Sequence, residues 1–189
     1  MITYISVLRG INVGGKRKIL MADLKKMYLS LGFQNITTYI QSGNVIFNYS
    51  KQADPDVIEN KLQNAILKSF GYEVPVIIRN IEELQKIFTN NPFTKSEDFE
   101  IERLHLTFLD KKPTKENTDS LALVDISPDS YHIINKDVYI YCNGKAIDSM
   151  LTNKLFESKL KVRATNRNWK TITKLNEIII NQYAVNKYF

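Results

Sequence analysis

The strongest constraint on the fold is a switching apolar period that runs through the same order twice. Strands repeat every two residues and helices every 3.6, so each buries a different face. Tyr4-Ile-Ser-Val-Leu8 alternates and predicts a strand over 3–9. Met21, Leu24, Met27, Tyr28 and Leu31 recur at helical spacing, and Gly32 follows as a stop, so a helix is expected over 21–31. Segments 36–40 and 45–47 read as strands, with Ser42-Gly43-Asn44 between them as a tight hairpin signal. Asp54-Pro55 is an N-cap followed by proline at the first helical position. Ile58, Leu62, Ala65 and Ile66 then form an apolar stripe, and Gly71 ends it. Segment 74–78 is a strand that Pro75 places at an edge. The order β-α-β-β-α-β is the split βαβ arrangement of ferredoxin-like folds.

Asn80 is expected to cap a short helix over 81–89, and Asn90-Asn91-Pro92 marks a boundary. This predicts an N-terminal subdomain over 1–90 and a C-terminal one over 91–189. The second begins again with a strand, 103–109, then a helix near 115–124. Strands 131–134 and 138–141 form a hairpin, and helices follow at 149–160 and 169–183. The order β-α-β-β-α is thus written twice, with a final helix in place of the last strand and no obvious residue identity between halves. The expected class is α+β: two related ferredoxin-like subdomains, predominantly antiparallel sheets and an extra C-terminal helix.

Composition narrows the function classes. With 189 residues, 43% hydrophobic and 24% charged, the chain can build a core. No apolar run approaches the roughly 20 residues of a membrane span, and the N-terminus has no basic lead. One cysteine, Cys142, excludes an internal disulfide and a cysteine zinc site. A cytoplasmic protein with no membrane partner is the simplest reading. The net charge of +6 is uneven: residues 1–50 carry six basic side chains against one acidic, and residues 151–189 carry eight against two. Two basic ends that met would attract phosphates or nucleic acid. The plainer reading is a solvated surface of uneven charge.

Gly10-Ile-Asn-Val-Gly-Gly15-Lys16-Arg17 fits G-x-x-x-x-G-K, with Arg17 where a hydroxyl is needed. The following helix starts near Met21, too late for a triphosphate cradle. Two readings stay open. The loop holds an anion through glycine N–H groups with Lys16, Arg17 and Lys18, or its glycines serve a flexible turn.

Leu8-Arg-Gly-Ile-Asn-Val-Gly-Gly-Lys16, Met21-Ala-Asp-Leu24, Gly32-Phe33, Thr38-Tyr-Ile-Gln-Ser-Gly-Asn-Val45 with Phe47, Ala164-Thr-Asn-Arg-Asn-Trp-Lys-Thr171 and Lys174-Leu175 stand together in one chain. In these blocks the chain resembles the bacterial domain-of-unknown-function family numbered 1697, from about residue 2 to residue 180. The resemblance implies an α+β fold with two related subdomains and implies no activity. Where similar chains have Ser-Lys, this one has Ser149-Met150.

The resemblance singles out the first loop, the hairpin turn 41–44 and segment 165–169. The expected ligand-binding set is Arg9, Gly10, Asn12, Gly14, Gly15, Lys16, Gln41, Ser42, Asn44, Thr165, Arg167 and Asn168. Its site would join loop 9–18 to segment 163–170, where a helix N-terminus with Arg163, Arg167 and Lys170 favours anions. Against that, Thr165 or Asn168 merely caps the helix and Trp169 is a core anchor. A phosphate-bearing small molecule is the preferred partner. Nucleic acid is the weaker one, through a stacking platform of Tyr39, Phe47, Tyr139 and Tyr141. The alternatives are an enzyme acting on a phosphorylated or acylated molecule at the same site, or an interaction scaffold pairing through edge 74–78. No cofactor or metal is expected. His105 and His132 read as structural, there is no G-x-S-x-G elbow, and Ser42 has no assignable base. The acidic residues of 54–59 and 97–102 read as helix-start and surface charges.

Overall fold

The computed structural model describes residues 1–49, 53–95, 99–146 and 148–186, except the side chains of 183–186. The chain divides into two compact units, Met1–Leu84 and Gln85–Phe189.

The first unit is β1 (Ile2–Leu8), α1 (Met21–Ser30), β2 (Gln34–Tyr39), β3 (Asn44–Tyr49), α2 (Pro55–Phe70) and β4 (Val76–Asn80). Its sheet runs β2-β3-β1-β4, every pair antiparallel. The helix ends follow from local chemistry. Asp54 Oδ1 accepts the Asp56 N–H at 3.0 Å, Pro55 opens α2, and Gly71 closes it at φ +73°. Tyr4 and Leu8 of β1 face Leu24, Tyr28, Leu62 and Ile66 in one buried cluster. Phe47 sits at its centre, with ring centroids 4.6 Å from Phe33, 5.4 Å from Tyr28 and 5.8 Å from Tyr4. It belongs to the core and is no open stacking surface.

The division between units falls within α3 (Ile81–Thr89). Then come β5 (Leu104–Leu109), α4 (Lys115–Ala122), β6 (Ser130–Ile134), β7 (Asp137–Tyr141), α5 (Asn153–Leu160), β8 (Ala164–Asn168) and α6 (Trp169–Asn186). The second sheet runs β6-β7-β5-β8, the same antiparallel permutation as the first. Leu109, Val138, Ile140 and Ala164 pack on Leu121, Phe156 and Leu160. Tyr139 is buried, and its hydroxyl donates to Ile87 O at 3.1 Å. It too is removed from any stacking platform.

Two expectations are corrected. The last strand is not replaced by a helix: β8 precedes α6, as β4 precedes α3. Helix α5 starts at Asn153 rather than 149, because Thr152 Oγ1 caps it by accepting the Leu155 N–H at 3.3 Å. Of the acidic segment 97–102, Glu97 and Asp98 lie outside the described residues.

The halves also share residues. Arg79-Asn80 ends β4, and Arg167-Asn168 ends β8. Arg79 Nη1 donates to Ile78 O at 2.9 Å, and Arg167 Nη1 donates to Asn166 O at 2.8 Å. Asn80 Oδ1 accepts the Glu83 N–H, and Asn168 Oδ1 accepts the Thr171 N–H, each at 2.8 Å. Glu83 Oε2 returns to the Asn80 N–H at 3.0 Å, completing a capping box.

The edge strands β4 and β8 each meet a helix carboxylate. Glu59 of α2 accepts the Ile78 N–H at 2.9 Å, and Glu157 of α5 accepts the Ala164 N–H at 3.1 Å. Glu59 is buried and is therefore no surface charge. An edge N–H spent in this way is withdrawn from pairing with another chain, so β4 is less open to a partner strand than its edge position suggests. Among the described residues, no helix is long and apolar enough to cross a membrane.

Candidate functional site

The glycine-rich loop is a miniature hairpin. Val13 pairs with Lys16, and the Lys16 N–H donates to Val13 O at 3.1 Å. Gly14 and Gly15 between them have φ of +57° and +75°. Two left-handed central residues are what a type I′ turn requires. The glycines are accounted for by that turn, and α1 starts only at Met21. The hairpin is closed at its base by the Asn12 N–H on Arg17 O at 3.2 Å.

Asn12 locks this hairpin to the β2–β3 turn. Its Oδ1 accepts the Ile19 N–H, and its Nδ2 donates to Ile19 O and Gln41 O, each at 2.9 Å. Beneath the turn, Gly43 lies buried at φ +82°, and its carbonyl accepts the Leu8 N–H at 2.8 Å. A Cβ there would stand 2.7 Å from Leu8 Cβ and 2.8 Å from Ile11 Cδ1. Asn44 is fully buried, and its Nδ2 donates to Tyr39 O and Ser42 Oγ at 3.1 Å. Asn12 and Asn44 thus build the frame of the site.

Between hairpin and turn lies a cavity of about 380 Å³ lined by Asn12, Gly15, Lys18, Ile19, Leu20, Met21 and Gln41. Leu20 occupies the N-cap of α1 and gives it no side-chain cap. The Asp23 N–H of the first turn already donates to Leu20 O at 3.1 Å, which leaves the N–H groups of Met21 and Ala22 as the orphan donors of the helix start at the cavity wall. Lys16, Arg17 and Lys18 are exposed on the same loop, and Arg9 is partly exposed at its start. Burial and the nearby Arg17 charge both push the Arg9 guanidinium below its ordinary value. The acid of this region, Asp23, lies 3.5 Å from Lys26. Leu20 and Met21 were not in the expected set. Their signal was an apolar residue where a capping Ser, Thr, Asp or Asn normally stands.

Segment 163–170 is not an open helix-start site. Strand pairing with β5 puts Thr165 opposite Phe108 and buries it. Arg167 stands opposite Leu106, where burial pushes its guanidinium down to about 10. Asn168 caps α6 and Trp169 is buried, as the plainer expectation had it. Arg163 Nε is 2.9 Å from Asp110 Oδ2, and Lys170 Nζ is 2.7 Å from Glu102 Oε1. These two cations are neutralised locally. Of the expected set, Asn12, Gly15 and Gln41 line one cavity. Arg9, Gly10, Gly14 and Lys16 share its loop, and Ser42 its turn. Thr165, Arg167 and Asn168 belong to the second unit.

His132 packs on Phe93 with centroids 5.1 Å apart. Among the described residues, no group of three His, Cys, Asp or Glu side chains is placed to hold a metal.

The chain is similar in structure to the conserved bacterial protein SP0830 from Streptococcus pneumoniae. The TM-score is 0.66 at 21% identity, over 93% of this chain and 97% of that one. The likeness extends to the fold alone. No curated protein matches the chain. The family model described as "Protein of unknown function (DUF1697)" matches residues 1–139, and the chain belongs to that family.

Proposed function

We propose that the chain binds a small phosphate-bearing molecule in the cavity between hairpin 12–17 and the β2–β3 turn. The observation that carries this reading is the composition of the wall. Lys18, Gln41 and the uncapped start of α1 stand beside apolar Ile19, Leu20 and Met21. An anionic group gains from the cations and the helix dipole, while an apolar body gains from the side chains next to them. Val13, Leu20 and Ile40 are 61%, 71% and 48% exposed on these same segments, a dense group of exposed hydrophobics for so short a stretch. The proposed site stands in the first unit on its own. Phe47 and Tyr139 lie in the core, so a stacked nucleic-acid strand is the less favoured ligand.

The test is thermal shift of the full chain against nucleotides, sugar phosphates and acyl phosphates at two salt concentrations. A ligand at about 100 times its Kd adds about 2.7 kcal/mol to apparent stability. Stabilisation by at least one phosphate-bearing compound is expected, weakened by salt and lost in Lys18→Glu and Arg17→Glu. A panel without effect, or an effect unchanged in both variants, sinks the reading.

A further inference from the structure

Each sheet ends in two edge strands, β2 and β4 in the first unit, β6 and β8 in the second. Three of these edges are blunted. Glu59 and Glu157 take up an N–H of β4 and of β8. Strand β2 shifts register between Gln34 and Thr37, with Asn35 at φ +50°, and an irregular edge is a poor template for a further strand. Among the described residues, β6 carries no such device. Ser130–Ile134 pairs with β7 in unbroken register and contains no proline, glycine, lysine, arginine or acidic residue.

The hairpin geometry fixes which groups of β6 face outward. Ile134 and Asp137 flank a two-residue turn, so they exchange both of their ladder bonds. The alternation then gives the main-chain groups of His132 and Ser130 to β7 as well. The N–H and C=O groups of Tyr131 and Ile133 point away from the sheet. Among the described residues, no main-chain bond outside the strand ladder reaches either residue. Their side chains lie against the core of the second unit, with the Tyr131 ring centroid 6.4 Å from that of Phe156. His132 alternates to the other face and is exposed.

This edge is complementary to itself. In an antiparallel pair of two β6 strands centred on His132, Tyr131 of one copy stands opposite Ile133 of the other. Both residues present outward groups, so the pair exchanges two hydrogen bonds, and the two-fold axis repeats it. An aromatic and a β-branched side chain then meet across the strands on the core face. The flanking charges agree. Asp129 precedes β6 and Lys136 follows it, so antiparallel pairing runs Lys136 of one copy toward Asp129 of the other, whereas parallel pairing sets like beside like. We propose that β6 is a self-association edge, through which a second copy of this chain joins two four-stranded sheets into one. A single strand pair is small beside the roughly 1,200–2,000 Å² of stable interfaces, so the dimer is weak and forms at high protein concentration. The proposal uses no residue of the first unit and stands apart from the ligand site there.

The experiment is sedimentation of the full chain at concentrations rising to about 1 mM, with amide hydrogen exchange on the same samples. A shift from monomer to dimer is expected as concentration rises, with exchange slowing at Tyr131 and Ile133. At the axis His132 faces its own copy in a non-hydrogen-bonded pair, with Cα atoms about 4.5 Å apart, where like charges repel. His132→Asp and His132→Lys are each expected to weaken self-association at least tenfold, and an equimolar mixture of the two variants is expected to regain it. Both substitutions fall on an exposed side chain, and the exchange measurement on the parent needs no variant. A parent that stays monomeric throughout overturns the proposal. So do self-association unchanged in both variants, a mixture no better than its components, or exchange at Tyr131 and Ile133 that does not depend on concentration.

Discussion

The Asn12 side-chain amide donates to the Gln41 carbonyl oxygen at 2.9 Å and so fastens two loops that are 29 residues apart. The same side chain brackets the Ile19 backbone from both sides. Asn12 also holds φ +55°, a region asparagine tolerates better than most residues. Asn12→Ala removes three hydrogen bonds and adds left-handed strain. A loss of about 2–3 kcal/mol is expected in urea unfolding, together with loss of ligand binding at the first cavity. Asn12→Asp keeps one acceptor but repels two carbonyl oxygens, and is expected to be no better than Ala. A change below about 0.5 kcal/mol in both variants refutes the clamp.

Gly43 and the Gly14-Gly15 pair separate two roles of glycine. All three have positive φ. A Cβ on Gly43 collides with Leu8 and Ile11, whereas one on Gly14 or Gly15 meets nothing within 4 Å. Gly43→Ala is expected to cost about 2–4 kcal/mol, from strain plus overpacking. Gly14→Ala and Gly15→Ala are expected to cost about 1 kcal/mol each, from strain alone. Melting temperatures of the three variants give the order directly. Equal losses at all three positions contradict it.

Asn80 and Asn168 perform one task at the two equivalent strand-to-helix junctions. Each accepts the N–H three residues on at 2.8 Å. Asn80→Ala and Asn168→Ala are each expected to lose about 1 kcal/mol. Asn80→Ala should lose more, because Glu83 also bonds back to that residue. Aspartate at either position is expected to recover most of the loss. Hydrogen exchange at the Glu83 and Thr171 amides reads each cap separately. Unchanged protection there counts against the shared role.

Stability should also depend on His105 in the pH window between its depressed folded-state pKa and the 6.5 of the free ring. Burial lowers its folded-state pKa below the 6.5 of the free ring. In that window the unfolded chain binds more protons than the native one, so stability rises with pH. The His105 contribution is fully present above 6.5 and is lost as pH falls through the depressed folded value. His105→Gln removes this dependence, and the variant's stability profile is expected to be flatter over that window. The Asn166 bond works in the other direction but ranks below burial. Parallel profiles for parent and variant in urea unfolding at several pH values dispose of the assignment.

Element order was legible because each helix of the first unit carries its own punctuation. Asp54-Pro55 opens α2, Gly71 closes it, and Asn80 opens α3. Strand β8 was not legible. Ala164-Thr-Asn-Arg-Asn168 contains one aliphatic residue, and it runs into α6 without a turn signal. Only its pairing with β5 makes it a strand. The repeated Arg-Asn pair was illegible for the same reason, since without β8 it has no structural counterpart. The loop 9–18 was legible as a special segment, but the meaning of its glycines was not. Gly-Gly before a lysine reads alike as phosphate cradle or I′ hairpin, and the Val13–Lys16 bridge decides it. The grouping of His105, Asn153 and Asn166 around a cavity of about 250 Å³ in the second unit had no sequence signal, because sheet pairing and the start of α5 bring these residues together.

Ile40 links backbone strain to the first cavity. It is β-branched, stands at φ +49°, and is 48% exposed. A branched residue in the left-handed region costs about 1–2 kcal/mol, and exposure returns little of it through burial. Strain of this kind is retained where it positions something, and Ile40 immediately precedes Gln41, whose carbonyl Asn12 holds. Ile40→Asn relieves the strain with a residue suited to that conformation. It is expected to raise stability by about 0.5–1 kcal/mol while weakening phosphate-ligand binding several-fold, because an exposed apolar side chain is lost next to Gln41 of the cavity wall. Gain of stability with unchanged binding removes Ile40 from the site, and loss of stability shows that its side chain packs more than its exposure implies.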